Sequence, residues 1–435
     1  MNKSLYIVAF SLAFATTGIA QNNEGQDKVI DLGTQTTTEL RKTQAVSTIY
    51  SDELDKNATT SPYNAIYGLL PGLSVMQNTS WGTDKSRLNV RGRGSLNGDT
   101  PLFVVDGFAR PLEYINLSEI ESISVLKDGA ATALWGGRGA NGVVLITTKR
   151  GIYNQKDIKV DYKFGLGLPV NQPEFADAYT YAKARNEALR YDGLQPDMDE
   201  ASFLSGGNSD LYPNVDWQKE ALRNHTTSHQ LDITFRGGGK RLRYFSVLNY
   251  KNDMGLLNSK YTDYTDRYNS QMKKYFLNLR MNLDVDITDA TKLKLSMLGM
   301  LRETKRPTTS EATLFEQIFN TPSAAFPVQT QNGFWGSNNV LKTNPIANLA
   351  DVGYYKLNQR MLQADLRLVQ DLSVLTRGLS AELAIAYDNN ATYQETAKKS
   401  FMYQTIEKGT DGEPIYTNYG NPNDELEISN KGLAN

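Results

Sequence analysis

Tyr275-Phe276-Leu277-Asn278-Leu279-Arg280-Met281-Asn282-Leu283-Asp284-Val285-Asp286-Ile287 is the stretch on which the fold class turns. Tyr275, Leu277, Leu279, Met281, Leu283, Val285 and Ile287 share one face, while Lys274, Asn278, Arg280, Asn282, Asp284 and Asp286 share the other, with Phe276 the exception. A period of two marks a β-strand with one apolar and one polar face. Fully extended, the stretch runs roughly 40 Å at ~3.3 Å per residue, well beyond a usual strand of about five or six residues.

The same period recurs on both sides of it. Ile158, Val160, Tyr162, Phe164 and Leu166 alternate with Lys159, Asp161 and Lys163, and further alternating runs occur at 231–235, 242–250, 293–297, 362–368 and 379–387. A soluble β-sandwich produces the same alternation, so period alone leaves both architectures open. Length separates them, because a tilted transmembrane strand needs about 9–11 residues. Charge on one face suits a wet lumen, and aromatics flank several apolar faces. The pattern favours a membrane barrel over a sandwich.

Composition narrows the classes further. A chain of 435 residues calls for more than one unit. Lys and Arg number 46 against 48 Asp and Glu, a net charge of −2, which opposes a broad nucleic-acid footprint. Cys is absent, which excludes disulfides, zinc-thiolate sites and thiol nucleophiles, and two His leave little for imidazole catalysis. Beyond the N-terminal leader no run approaches the roughly 18 apolar residues of a spanning helix, so any span must be built from strands.

Four segments follow. Residues 1–20 read as a secretory signal, with Lys3, an apolar run at 5–15 and Gly18-Ile19-Ala20 before Gln21. Residues 21–38 are polar, with a small apolar patch at Val29, Ile30 and Leu32, and are expected to form a flexible arm that adds nothing to a core. Residues 39–150 carry short β-type runs such as Val143-Val144-Leu145-Ile146-Thr147-Thr148, with helical pieces expected at 61–69 and 118–122, the texture of a compact α+β domain. Residues 154–435 hold the alternating strands. Long connections interrupt them: 169–230 with an amphipathic helix through Phe175, Ala178, Tyr179, Ala182 and Leu189, and 302–359 with little regularity.

The motifs give no enzyme. Gly137-Arg138-Gly139-Ala140-Asn141-Gly142 matches GxGxxG, but a strand-like run follows it where a dinucleotide site needs a helix N-terminus, so the glycines read as a tight turn. His225 and His229 have no third ligand near and read as a surface pair. Asp197, Asp199 and Glu200 read as solvated, with weak calcium binding left open. No metal and no cofactor is expected.

The longest distinctive stretch is Ser124-Val125-Leu126-Lys127-Asp128-Gly129-Ala130-Ala131-Thr132-Ala133-Leu134-Trp135-Gly136-Gly137-Arg138-Gly139-Ala140-Asn141-Gly142, followed by residues 143–149. It resembles the plug signature of SusC/RagA-family TonB-dependent outer-membrane transporters, and Leu126, Lys127, Asp128, Ala130, Gly136, Arg138, Gly139, Ala140, Asn141 and Gly142 are its signature positions. Arg91-Gly92-Arg93-Gly94-Ser95-Leu96-Asn97-Gly98 with Pro101-Leu102-Phe103-Val104-Val105-Asp106-Gly107 is similar to a second plug block. Asp27-Lys28-Val29-Ile30-Asp31-Leu32-Gly33 falls where the family carries its TonB box, though Asp31 and Leu32 depart from the usual residue types. Asp210-Leu211-Tyr212-Pro213-Asn214-Val215-Asp216-Trp217 looks like the first extracellular connection.

The resemblance implies an α+β plug domain closing an antiparallel transmembrane β-barrel of about 22 strands, located in the cell outer membrane. It implies TonB-dependent import of nutrient oligomers, glycan or peptide fragments, with TonB, a SusD-like surface lipoprotein, outer-membrane lipid and the nutrient ligand as partners and no nucleic acid. Arg87, Arg91 and Arg93, together with Arg138, are candidate anchors between plug and wall, pairing with lumen-facing acids such as Asp284 or Asp286. The strands present are too few for such a barrel, and 425–435 are polar without a closing aromatic strand, so the expectation is an N-terminal portion of the barrel, incomplete here. The competing readings are a non-transporting surface β protein for adhesion or assembly, and a non-functional truncated fragment. Tyr212, Trp217, Phe334 and Trp335 are candidates for stacking on sugars, with ordinary packing as the alternative.

Overall fold

The computed structural model describes residues 10–13, 29–31, 36–38, 43–56, 59, 61–77, 86–94, 98–170, 172–263, 268–421 and 425–433. Its first unit is a five-stranded sheet of β1 (Val46–Tyr50), β2 (Leu102–Val105), β3 (Phe108–Ala109), β4 (Ile120–Leu126) and β5 (Val143–Thr148) in the order β1-β4-β5-β2-β3. β5 lies at the centre, parallel to β2 and antiparallel to β4. Both its faces are covered. Val144 and Ile146 enter a core with Ile49, Ile66, Ile120 and Ile123, while Val143 and Leu145 enter another with Val46, Val104, Leu126 and Ala131. That two-sided burial explains a strand that is apolar without alternation. Residues 118–122 correct the helical expectation: a 3-10 turn spans Leu117–Glu119, and β4 begins at Ile120, where β-branched Ile120, Ile123 and Val125 favour extended backbone.

The second unit is a wall of long strands: β6 (Lys156–Gly167), β7 (Thr226–Gly238), β8 (Leu242–Met254), β9 (Lys273–Asp286), β10 (Thr291–Pro307), β11 (Gly353–Asp371), β12 (Ser380–Lys398) and β13 (Glu427–Leu433). Each pairs antiparallel with the next in chain order. All seven alternating runs of the sequence are wall strands. β13 has only two large apolar residues, Ile428 and Leu433, too few to set a period.

The faces are inverted relative to a soluble sandwich. Leu279 is 51% exposed and Leu383 62% on the apolar side, while Asn278, Asn282 and Asp284 on the polar side are buried. The first unit packs against that polar side. Among the described residues the sheet is not closed, since its order runs from Phe10–Ala13 on β6 to β13 on β12 without joining the ends. Phe10–Ala13, inside the expected leader, occupies the free edge of β6, where unpaired backbone groups recruit a strand.

At one end of the wall the turns are short, at 239–241, 287–290 and 372–379. At the other lie the long connections 168–225, 255–272, 308–352 and 399–426. The described residues of these connections form a cap. Trp217, Leu257, Phe326, Trp335 and Ile346 share one apolar core, with Phe401 and Tyr403 packed against it. Residues 302–359 thus correct the expectation of irregularity. Helix Glu311–Asn320 starts at an N-cap in which Ser310 accepts from Thr313 N–H, and it buries Leu314 and Ile318. Helix Pro345–Ala350 is capped by Asn344. Helix Ala178–Tyr191 buries Ala178, Ala182 and Asn186, while Phe175 lies before it and stacks on Phe319.

Candidate functional site: the plug and its contacts with the wall

Asp128 organises the signature stretch. It follows β4, caps helix Gly129–Thr132 through Ala131 N–H at 2.8 Å, and accepts Ala45 N–H on its other oxygen at 2.8 Å. One carboxylate therefore joins the entry of β1 to the start of the helix. The bond from Ala45 N–H is the main cause that holds this carboxyl below its ordinary pKa, and the charge of Arg91 contributes. Lys127 Nζ donates to Ser47 Oγ at 2.6 Å and to Pro71 O at 3.0 Å. Gly136 sits at φ 54°, ψ −147°, and Gly142 at φ 88°. A Cβ on Gly142 would stand 2.8 Å from Val90 Cβ, so the turn needs glycine for conformation and for space. Gly139 is buried against Thr132 and Trp135, Asn141 donates to Gly98 O at 3.1 Å, and Ala130, Arg138 and Ala140 are exposed.

Of the arm, Val29–Asp31 pairs antiparallel with Thr36–Thr38. Ile30 is 1% exposed and packs with Val46, Val104, Leu126, Ala131, Val143 and Leu145. This corrects the expectation that the arm adds nothing to a core: a short hairpin can place one isoleucine in a groove that the plug supplies. Asp27, Lys28, Leu32 and Gly33 lie outside the described residues.

Among the described residues, no bond joins the arginines chosen from sequence to the wall. Arg87 and Arg93 converge on the buried Asp99, at 3.0 and 2.9 Å, inside the plug. Arg91 has a left-handed backbone, φ 57°, whose N–H is held by Gly72 O. Arg138 and Arg87 instead line a cavity of about 550 Å³ on the plug. Asp99 lies only six residues from Arg93, and this local partner outcompetes a distant one.

Other residues make the plug–wall contacts. Arg110 forms a bidentate pair with Asp365, at 2.6 and 2.5 Å, and also binds Asp388. Burial opposes the Arg110 charge, but the two carboxylates outweigh it and push its pKa up. Arg150 binds Asp284 at 3.1 Å and donates to Ser296 at 2.8 Å. Arg280 binds Glu119, both side chains being almost fully buried, and Asn278 donates to the same carboxylate at 2.5 Å. Asn116 donates to Asp232 at 2.8 Å, and Asn282 to Thr148 Oγ1 at 2.9 Å. Arg302 donates to Glu113 O, and Arg367 to Asp106 O. Tyr114 packs with Leu298, Met300 and Met361. Every one of these plug groups falls between 106 and 150. Of the two acids named from sequence, Asp284 holds a plug-side arginine and Asp286 holds Tyr153.

The remaining candidates are accounted for by local bonds. His229 pairs across from Phe164 and bonds Tyr162 on the outer face, and His225 precedes β7 rather than sharing a helix with it. Asp197 is held by Arg185, Asp199 caps helix Glu200–Ser205, and Glu200 receives Asn186. Trp217 and Trp335 are buried in the cap core, which removes them as sugar-stacking surfaces.

An α+β plug seated against the polar face of a long antiparallel wall resembles the plug and part of the β-barrel of a TonB-dependent receptor. Residues 38–143 match the TonB-dependent Receptor Plug Domain. TonB-dependent receptor SusC of Bacteroides thetaiotaomicron is 30% identical over 283 residues, 61% of this chain and 26% of that protein. TonB-dependent receptor P26 of Formosa agariphila is 28% identical over 281 residues, 63% of this chain and 26% of that protein. The RagAB peptide importer in its open-open state superposes with a TM-score of 0.67 at 19% identity, covering 85% of this chain and 43% of that one. Over these segments the chain is similar to SusC-type TonB-dependent receptors, and its fold is similar to that of the RagAB importer. Its matched segment spans about a quarter of these curated relatives' length.

Proposed function

We propose that this chain forms the plug and part of the wall of a transporter that imports nutrient oligomers, glycan or peptide fragments, across the outer membrane, with TonB pulling the plug to open the path. The single observation that carries this reading is the inverted wall: its apolar side faces out, and its polar side is filled by a plug held through hydrogen bonds and ion pairs. Polar contacts along a wet lumen can be exchanged for water at modest net cost, so a plug held this way can move where one in a dry core could not. The arm supplies the handle. Residues 27–33 serve as the TonB box, offering a strand edge to a periplasmic partner by β-augmentation. A SusD-like lipoprotein covers the mouth on the side of the long connections, which face the exterior, and residues 1–20 are the export signal. No reaction chemistry is assigned.

The test is deletion of residues 27–33 from the gene in its host, followed by uptake of labelled oligosaccharides and peptides. Loss of energised uptake with unchanged surface level supports the reading. Uptake at the wild-type rate refutes it.

A further inference from the structure

We propose that the cap carries a binding site of its own, which takes a cationic group attached to an apolar body, with Asp210 as the counter-charge. The site goes beyond transport through the wall and does not depend on it. A cavity of about 510 Å³ lies between the connections 168–225, 308–352 and 399–426, within the range of small-ligand sites. Met198, Phe203, Tyr212 and Phe326 give it an apolar lining. The rings of Phe203 and Tyr212 stand at 89° with centroids 5.3 Å apart, and Lys408 Nζ lies over the Tyr212 ring at 5.5 Å from its centroid.

Asp210 supplies the polar end. It is 4% exposed, and its two side-chain bonds from other connections both fall on Oδ2: Tyr416 OH donates at 2.7 Å and Gln331 N–H at 2.9 Å. No described bond falls on Oδ1, and Asp210 is one of the residues that line the cavity. Among the described residues no Lys or Arg pairs with Asp210. The other acids nearby differ. Asp197 has Arg185, and Asp199 has Ser202, Tyr212 and Lys408. A buried carboxylate balanced only by neutral donors is costly until a cation arrives. Burial, and then the bond to Asp210, pushes the Tyr416 phenol up to about 12.

The lining also discriminates among ligands. Lys408, the cation at the rim, already donates to Tyr212 OH at 2.8 Å. The lining carries three carboxylates, Asp197, Asp199 and Asp210, against one cation, Lys408. A neutral sugar unit wants both donors and acceptors, whereas an ammonium or guanidinium donates only and is attracted to aromatic faces.

The experiment uses the full chain folded in detergent micelles and calorimetric titration with a leucyl-lysine amide dipeptide, with its doubly acetylated analogue and with maltotriose. Two variants accompany it: Asp210→Asn, which removes the charge, and Met198→Trp, which fills the cavity and leaves Asp210 intact. The expected result is saturable binding of the dipeptide, weakened about tenfold or more by acetylation and by Asp210→Asn, as loss of a charge-assisted contact predicts, and by Met198→Trp through loss of the space. Met198→Trp keeps the test valid if Asp210→Asn loosens the cap. Absence of saturable dipeptide binding, equal binding of the acetylated analogue or of maltotriose, or unchanged binding in Met198→Trp overturns the proposal.

Discussion

Replacing Arg280 by Met tests whether the buried pair between plug and wall holds the plug in place. Arg280 and Glu119 are 2% and 0% exposed, and Asn278 is the other described side chain bonded to the Glu119 carboxylate. Removing one partner of a buried pair costs about 3–5 kcal/mol, because the remaining charge is left uncompensated. With a urea dependence of about 2 kcal/mol per molar, a loss near 4 kcal/mol moves the plug's unfolding midpoint down by about 2 M. Replacing both residues, Glu119→Leu with Arg280→Met, recovers most of that loss, since an apolar pair of similar volume is about neutral. The pH dependence follows from burial, which already pushes the Glu119 carboxyl up. Without Arg280 that rise is larger, so the folded form holds the proton more tightly than the unfolded one. Stability of Arg280→Met is therefore full below about pH 4 and falls as pH rises through the folded-state pKa. The assay is urea unfolding of the full chain in micelles, followed by Trp135 fluorescence in a variant with Trp81, Trp217 and Trp335 replaced by Phe. A shift under about 0.5 M for the single variant, or a double variant no more stable than the single, would refute the argument.

Three further outcomes are expected. Gly142→Val combines a left-handed backbone with a contact 2.8 Å from Val90 and should cost roughly 2–5 kcal/mol, while Gly94→Ala, with open space around it, should match wild type; equal urea midpoints for the two would dispose of the turn argument. Ile30→Ser gives up about 1.5–3 kcal/mol of burial, so tryptic cleavage after Lys28 should quicken on the order of 10- to 100-fold with the plug sheet intact, and unchanged cleavage would mean the arm is not held through Ile30. The depressed carboxyl of Asp128 stabilises the plug above the ordinary value of about 4, and that stability is lost as pH falls through the lower folded value. Exchange of the Ala45 and Ala131 amides should therefore quicken below about pH 4 in wild type and be quick already at pH 7 in Asp128→Ala; protection in that variant at pH 7 would be the contrary result.

How far sequence alone reaches can be seen residue by residue. Residues 275–287 announced a strand and assigned each side chain to a face, because the two-residue repeat of extended backbone is a local property. The same holds for the apolar run at 143–148 and for the turn glycine at 142, whereas the capping role of Asp128 came from the structure. Which face of the wall points inward was not local. A sandwich and a barrel share one alternation, and only the plug, seated on Asn278, Asn282 and Asp284, decided that the polar side is the covered one. The partners of the arginines were equally out of reach. Arg110 meets Asp365 across 255 residues and Glu119 meets Arg280 across 161, whereas Arg93 finds Asp99 six residues away. Charge type marks a residue as able to pair, but distance in space selects the partner, and that distance is set by strand order and register. The cap core follows the same logic: Trp217, Leu257 and the pair Phe326 and Trp335 come from three different connections, and they become a core only where the wall strands bring those connections together.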